Sequence, residues 1–256
     1  GVVEPTVFYV DDVNLADDPS REVLQALIEG IVDTPLLVVA TSVPDESLHP
    51  NPIRLGPLTA DDVSSLLDHL LGEQVVAATI VRDVVGRSAG NPLFLGELVR
   101  SLAEDPNAAM PDSLEALVSS RVDALEPADR QLLRHASVLG VEVDISLLGR
   151  ATGDDLIRRQ DRWERLARFL EWAAPGVVRF RYDTYWRVVY GGLSFGARRA
   201  AHRRVIELIE EDLAAASAMA DAEAPDPLLI GRLAVHAERA GDRARTWTYA
   251  NAAAAN

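Results

Sequence analysis

The chain contains no cysteine and no lysine. Without cysteine it can form neither a disulfide nor a thiolate metal site. Without lysine it cannot contain a standard phosphate-binding P-loop, G-x-x-x-x-G-K, whose lysine reaches the β- and γ-phosphates. Aromatic residues are scarce, at 5%. That scarcity, beside abundant Ala and Leu, favours helices over sheets. No apolar run approaches 18 residues and no signal peptide is visible, so a membrane span is not expected and a cytoplasmic protein is. Positive charge is also short. Twenty-five arginines face 40 acidic residues, for a net charge of −15. A surface of that sign repels phosphate backbones and anionic lipids, which makes nucleic acid and membrane poor partners. The five histidines (His49, His69, His135, His202 and His236) are scattered, and no two have the spacing of metal ligands.

What is present supports a folded protein. Hydrophobic residues make up 48% of 256 residues, enough for a buried core in one large domain or two to four small ones. The first residue is Gly1 rather than Met, and a strand-like run follows almost at once. The expectation is a piece of a larger protein.

Thr6 to Val10 (TVFYV) reads as a short buried strand and ends in Asp11-Asp12. Val23, Leu24, Leu27, Ile28 and Ile31 recur at helical spacing. Residues 35–40 (PLLVVA) form a second apolar strand, and Ile53 to Leu55 a third, short one. Strand, helix and strand with apolar strands is the pattern of a parallel sheet covered on both faces. After Pro57 the pattern is helical. Thr59 and Asp62 make a capping box before Val63, Leu66, Leu67 and Leu70, with Gly72 at the far end. Helices over 75–87 and 92–102 follow, separated by Ser88-Ala89-Gly90-Asn91. Further helices begin near Pro111 and at Pro127, and helix-like stretches continue to about Trp172. Pro175-Gly176 makes a turn, and residues 177–182 (VVRFRY) alternate as a half-buried strand does. Helices followed by a short hairpin is the order of a winged helix. From Ala197 onward only helices are expected, broken at 225–227. The run 233–242 (LAVHAERAGD) has the small-residue character of a helical repeat.

Asp11-Asp12 is the foremost site candidate. Ligands of open α/β sheets sit beyond the carboxyl ends of the strands. A carboxylate there can hold a magnesium-bound water, and a second can orient an attacking water. Two solvated acids at a strand end would have the same spacing. Asn91-Pro92 is the second candidate. Asn is a good helix N-cap, and Pro at the first turn has no N–H to waste and offers a flat apolar face. The same pair could simply start a helix.

These residues resemble those of STAND-type signalling ATPases, AAA-related P-loop proteins that include LuxR-type regulators and cyclase-linked ATPases. VFYVDDVNLADDPS is similar to their Walker B region and PLLVVATSVPDE to their sensor strand. VGRSAGNPLFLGELVR at 85–100 resembles their G-N-P-L-F segment. PDSLEALVSSRVDALEPADRQLLRHASVLG at 111–140 resembles the opening of their winged-helix domain. WERLARFLEWAAPGVVRFRYDTYWRVVYGGLSFGARRAAHRRV at 163–205 looks most like the actinobacterial cyclase-linked branch, and LAVHAERAGDRARTWTYANAAA at 233–254 like the start of their helical repeats. The resemblance runs in order over nearly the whole chain. It implies an α/β fragment followed by mostly α structure. The implied parts are a partial parallel-sheet nucleotide-binding core (1–57), a three-helix subdomain (58–108), a winged-helix domain (109–196) and the start of a helical, TPR-like array (197–256). It implies Asp11 as the magnesium acid, Asp12 as the catalytic, water-positioning acid, and Asn91 and Pro92 against adenine. ATP or ADP with Mg would belong to the parent protein, and this chain alone is expected to bind neither and to be inactive as a hydrolase. The implied partners lie in the same polypeptide: a P-loop region upstream of Gly1 and an effector domain, a nucleotide cyclase or a DNA-binding domain.

The sequence also departs from that pattern. The family's sensor-loop Arg is replaced by Val43, its winged-helix His by Tyr182, and the Trp after its Walker B acids by Leu15. Arg and His would face phosphate oxygens, which need donors or positive charge. The expected function is therefore a regulatory ATP/ADP switch module, with a degenerate protein-interaction scaffold as the alternative. A DNA-binding winged helix ranks third, because Arg179, Arg181, Arg187, Arg198, Arg199, Arg203 and Arg204 sit in an acidic chain and are expected to pair locally or dock on acidic surface. Trp163, Trp172, Trp186 and Trp247 are expected to pack in the core or between domains.

Overall fold

The computed structural model describes residues 4–31, 34–43, 52–72, 78–105, 110–155, 160–218 and 226–254. The chain is mostly helical and divides into two compact units, Gly1–Leu58 and Thr59–Asn256.

The first unit contains a parallel pair of strands, β1 (Thr6–Val10) and β2 (Leu36–Ala40), in the register Thr6↔Leu36 to Val10↔Ala40. Their connection carries a 3₁₀ turn, Val13–Leu15, and helix α1, Asp18–Gly30. Asp17 caps α1 by accepting the Ser20 amide at 3.0 Å, and Pro19 occupies its first turn. Burial in this unit is slight. Val13 is its one fully buried hydrophobic residue among those described, and Val7, Phe8, Tyr9, Leu37 and Val39 are exposed. The parallel sheet has two strands, not the three expected. Ile53 and Leu55 are 93% and 94% exposed and lie outside any strand. Pro52 before this run has no N–H to contribute to a ladder, and nothing buries the side chains.

The second unit begins with α2 (Ala60–Leu71), α3 (Ala78–Ser88) and α4 (Pro92–Glu104). The capping box on α2 is formed: Thr59 Oγ1 accepts the Asp62 amide at 3.3 Å, and the Asp62 carboxylate accepts the Thr59 amide at 3.2 Å. Residues 75–77 of the expected α3 lie outside the described residues. Phe94, Leu95 and Leu98 are buried on α4. The link from α4 to α5 (Leu114–Asp123) is ionic, because buried Glu97 pairs with Arg121, whose guanidinium also donates to the Glu97 carbonyl at 3.1 Å.

Then come α6 (Pro127–Leu139), β3 (Glu142–Asp144), α7 (Ile145–Thr152) and α8 (Gln160–Leu166). They are followed by β4 (Leu170–Ala174), β5 (Val177–Phe180) and α9 (Asp183–Gly191). The stretch to Trp172 is thus not all helical. β3 and β4 flank β5 in an antiparallel sheet of order β3-β5-β4. The three residues of β3 are too few for their alternation to stand out, and pairing with residues 177–179 makes them a strand. Gly176, at φ 78°, makes the β4–β5 turn. The alternation expected for 177–182 holds through Phe180, with Val178 and Phe180 buried and Arg179 exposed. Tyr182 instead precedes α9 as its N-cap residue. The core packs Leu132, Leu133, Ala136, Val143, Leu148, Phe169 and Tyr185, all nearly inaccessible.

Beside this core, Asp129 at the start of α6 is buried and receives Arg162 Nε at 2.8 Å and Arg165 Nε at 2.6 Å. Finally α10 (Phe195–Ser217) packs on α6 and α7, and α11 (Pro227–Ala240) and α12 (Arg243–Ala254) pack as a helical pair with α10. Gly241, at φ 73°, ends α11. A side chain there would also collide with the Arg199 guanidinium, which donates from Nε to the Ala240 carbonyl at 2.9 Å.

Candidate functional site

Asp11 and Asp12 follow β1 at its carboxyl end. The register places Thr41, the residue after β2, beside them. Thr41 ties the two strand ends together: its amide donates to the Val10 carbonyl at 2.9 Å, its carbonyl accepts the Val13 amide at 2.9 Å, and its hydroxyl oxygen accepts the Asp12 amide at 2.9 Å. The same hydroxyl donates to Asp11 Oδ1, which also accepts the Tyr9 hydroxyl at 3.0 Å. Hydroxyl donation by Thr41 first, then by Tyr9, holds the Asp11 carboxyl below its ordinary range, and Asp11 in turn raises the Tyr9 phenol. Asp11 is thus an exposed, ionised carboxylate with one oxygen fixed by two hydroxyls. Asp12 adopts the left-handed region at φ 51°, ψ 48°, which Asp tolerates better than most residues. That turn throws the chain into the Val13–Leu15 turn.

The two strand-end loops are joined further by Asn14, whose Oδ1 accepts the Val43 amide at 3.2 Å. Arg21 of α1 donates to the Asn14 carbonyl at 2.8 Å and to the Ala16 carbonyl at 3.1 Å. Val43 itself is exposed beside this turn. Among the described residues, no three His, Asp or Glu side chains converge as a metal cage. The Asp11 carboxylate is the kind of oxygen donor that a hydrated hard cation takes.

Asn91 and Pro92 open α4 in the second unit. Asn91 Oδ1 accepts the Phe94 amide at 3.1 Å, and Pro92 lies in the first turn. The chain reaches them through Ala89 and Gly90, both at positive φ (48° and 77°). Both Asn91 and Pro92 are exposed, and the helix-starting role is filled.

Four of the seven arginines pair with nearby acids. Arg179 and Arg181 face Glu171, Arg187 faces Asp183 and Arg204 faces Glu207. Arg198 donates to the Gly191 carbonyl at 2.7 Å. The tryptophans divide. Trp163 is buried, Trp186 Nε1 donates to the Ser137 carbonyl at 2.8 Å, and Trp172 and Trp247 are exposed.

The scattered histidines conceal a pair. His202 of α10 and His236 of α11 are both buried, with their Nδ1 atoms 2.8 Å apart, and His202 Nε2 lies 2.9 Å from the Tyr190 hydroxyl. Burial, reinforced by His236 and by Arg239 and Arg198, pushes His202 down to about 3. Burial with Arg232 and Arg239 pushes His236 down to about 4. Both rings are neutral at pH 7. The usable sequence signal was that apolar residues lie one turn from each histidine, Val205 and Ile206 beside His202 and Leu233 and Ala240 beside His236.

No family profile matches the chain. It is similar, at 27% identity over 262 residues covering 93% of its length, to an uncharacterized protein of Rhizobium meliloti (strain 1021). The chain spans 24% of that relative's length. No helix among the described residues is long and apolar enough to cross a membrane.

Proposed function

We propose that this chain is part of a nucleotide-dependent regulatory module, the portion of a STAND-type signalling ATPase that runs from the magnesium-handling acids through a winged helix to the first helical repeat. The observation that carries the reading is the Asp11–Thr41 junction. An ionised carboxylate stands at the carboxyl end of a parallel strand, fixed by a hydroxyl from the end of its neighbour. The exposed apolar residues of β1 and β2 support it, since parallel strands are normally covered on both faces and these would belong to a larger sheet. The β3-β5-β4 sheet after α5 and α6 supports the winged-helix assignment, and the α11–α12 pair the repeat assignment.

In this reading Asp11 would hold a hydrated magnesium ion and Asp12 would orient a water for attack. Asn91 and Pro92 lie at the base. Magnesium would neutralise phosphate charge when bound. Hinging between the parts would relay the nucleotide state to an effector domain in the same polypeptide. The second reading, a non-catalytic scaffold, is favoured by Val43 and Tyr182, which lack the charge that phosphate oxygens need.

Calorimetric titration of Mg·ATP and Mg·ADP into the full-length protein tests the proposal. Asp11→Ala should weaken binding. Val43→Arg and Tyr182→His should strengthen it, by about ten- to a hundred-fold for each well-aligned charged hydrogen bond. The present chain alone should show no magnesium-dependent ATP turnover above background, because it has no P-loop. If Asp11→Ala binds as well as wild type and neither restoration has an effect, the scaffold replaces the switch.

A further inference from the structure

A cleft of about 660 Å³ opens where the end of α9 and the start of α10 meet α11 and α12. That volume lies within the range of small-molecule sites. Four arginines line it, Arg198, Arg199, Arg239 and Arg243, with Glu238 as their acidic neighbour. This is a local excess of positive charge in a chain of net charge −15. Three of the guanidinium groups lie over aromatic rings: Arg198 and Arg239 are 4.8 and 5.6 Å from the Tyr190 ring centre, and Arg199 is 5.6 Å from that of Phe195. A ring face holds a guanidinium while leaving its N–H edge available. Tyr190 is itself fixed, stacked on Trp186 at 5.6 Å and bonded through its hydroxyl to His202.

Two of these arginines have a structural use, because Arg198 and Arg199 donate to carbonyls at the ends of α9 and α11. Arg239 and Arg243 have no ion pair or hydrogen bond among the described residues. Arg243 opens α12, where a cation opposes the helix dipole and is destabilising. Nothing in the local packing calls for a charge there. At the cleft mouth stand two flat aromatic rings, Phe195, 74% exposed, and Trp247, 72% exposed.

We propose that this cleft binds a nucleoside monophosphate, independently of the Asp11 site. Guanidinium forks match phosphate oxygens, with Arg239 and Arg243 supplying the uncommitted edges. Aromatic faces and guanidinium planes stack on bases, and the exposed Trp247 and Phe195 supply them. Glu238 can accept a ribose hydroxyl, as an acidic side chain does in dinucleotide sites. A nucleic acid polymer is disfavoured, because its further phosphates would leave this one basic cleft for an acidic surface. An acidic peptide is disfavoured by Glu238.

The test is calorimetry of the chain with AMP, GMP, CMP and UMP in EDTA, so that magnesium-dependent binding through Asp11 is not read. Tryptophan quenching provides a second signal. At least one nucleotide should bind one-to-one with Kd below about 1 mM. Arg239→Ala and Arg243→Ala, both at exposed positions, should each weaken it by about ten- to a hundred-fold. Trp247→Leu should weaken the nucleotide and abolish its quenching, yet leave inorganic phosphate binding unchanged. Circular dichroism should show that the three variants retain the fold. The proposal is overturned if no nucleotide binds below that limit, or if binding survives both arginine substitutions. It is also overturned if a Glu-rich peptide binds with the same arginine dependence while the nucleotides do not.

Discussion

The buried His202–His236 pair makes the second unit sensitive to mild acid, and the size of the effect can be worked out. In water a histidine titrates near 6.5. In the fold the two rings are held at about 3 and about 4. The unfolded chain therefore binds more protons than the folded one at pH values below about 6.5, and stability falls as pH falls. The contribution is fully present above the unfolded value and is lost progressively as pH drops toward the folded values. Geometry reinforces burial. With Nδ1 facing Nδ1 at 2.8 Å, one ring must donate and the other accept, so protonating both would set N–H against N–H. Arg198, Arg232 and Arg239 surround the pair with charge of the same sign.

Between pH 7.5 and 5.5 each ring should cost about 1.4 kcal/mol and the two together just under about 3 kcal/mol. Asp129 is held below its ordinary range by Arg165 and then Arg162. Urea unfolding followed by circular dichroism reads the change. With m of about 3 kcal/mol per M, the midpoint should fall by about 0.9 M. His236→Leu should remove about half of the pH dependence. A midpoint that stays constant over these two pH units refutes the reasoning. So would an undiminished fall in a His202→Leu/His236→Leu double variant.

Asp129→Ala strips two guanidinium groups of a shared buried partner and should cost about 3–5 kcal/mol, measurable as a lowered urea midpoint at pH 7.5. Tyr185 is buried and its hydroxyl has no hydrogen-bond partner among the described residues, so Tyr185→Phe should be neutral or raise Tm. Duplex DNA should bind with Kd weaker than about 10 µM at about 150 mM salt, because the net charge is −15 and Arg179 and Arg187 are already paired with acids. Fluorescence anisotropy giving tighter binding would remove that argument.

The strand at 6–10, the capping box at 59–62 and the helix start at 91–92 declared themselves in the sequence, though the burial expected of β1 does not hold. β1, the α2 capping box and the Asn91-Pro92 helix start each depend on signals within about one turn or one strand of themselves. Asp11 was legible as a strand-end acid for the same reason. The Thr41 hydroxyl that fixes it was not, because it comes from 30 residues away and is chosen by strand register. β3 and β4 were missed because their conformation is set by pairing with β5 rather than by their own pattern. The histidines looked scattered because 34 residues separate His202 from His236, and only the packing of α10 on α11 closes that gap. The arginine cleft arose the same way. The sequence supplied the arginines and aromatics on α9, α10, α11 and α12, and helix packing brought them to one space. Local propensity and capping act through the bonded chain and can be read along it. Long-range hydrogen bonds, ion pairs and clefts depend on which faces the topology brings together.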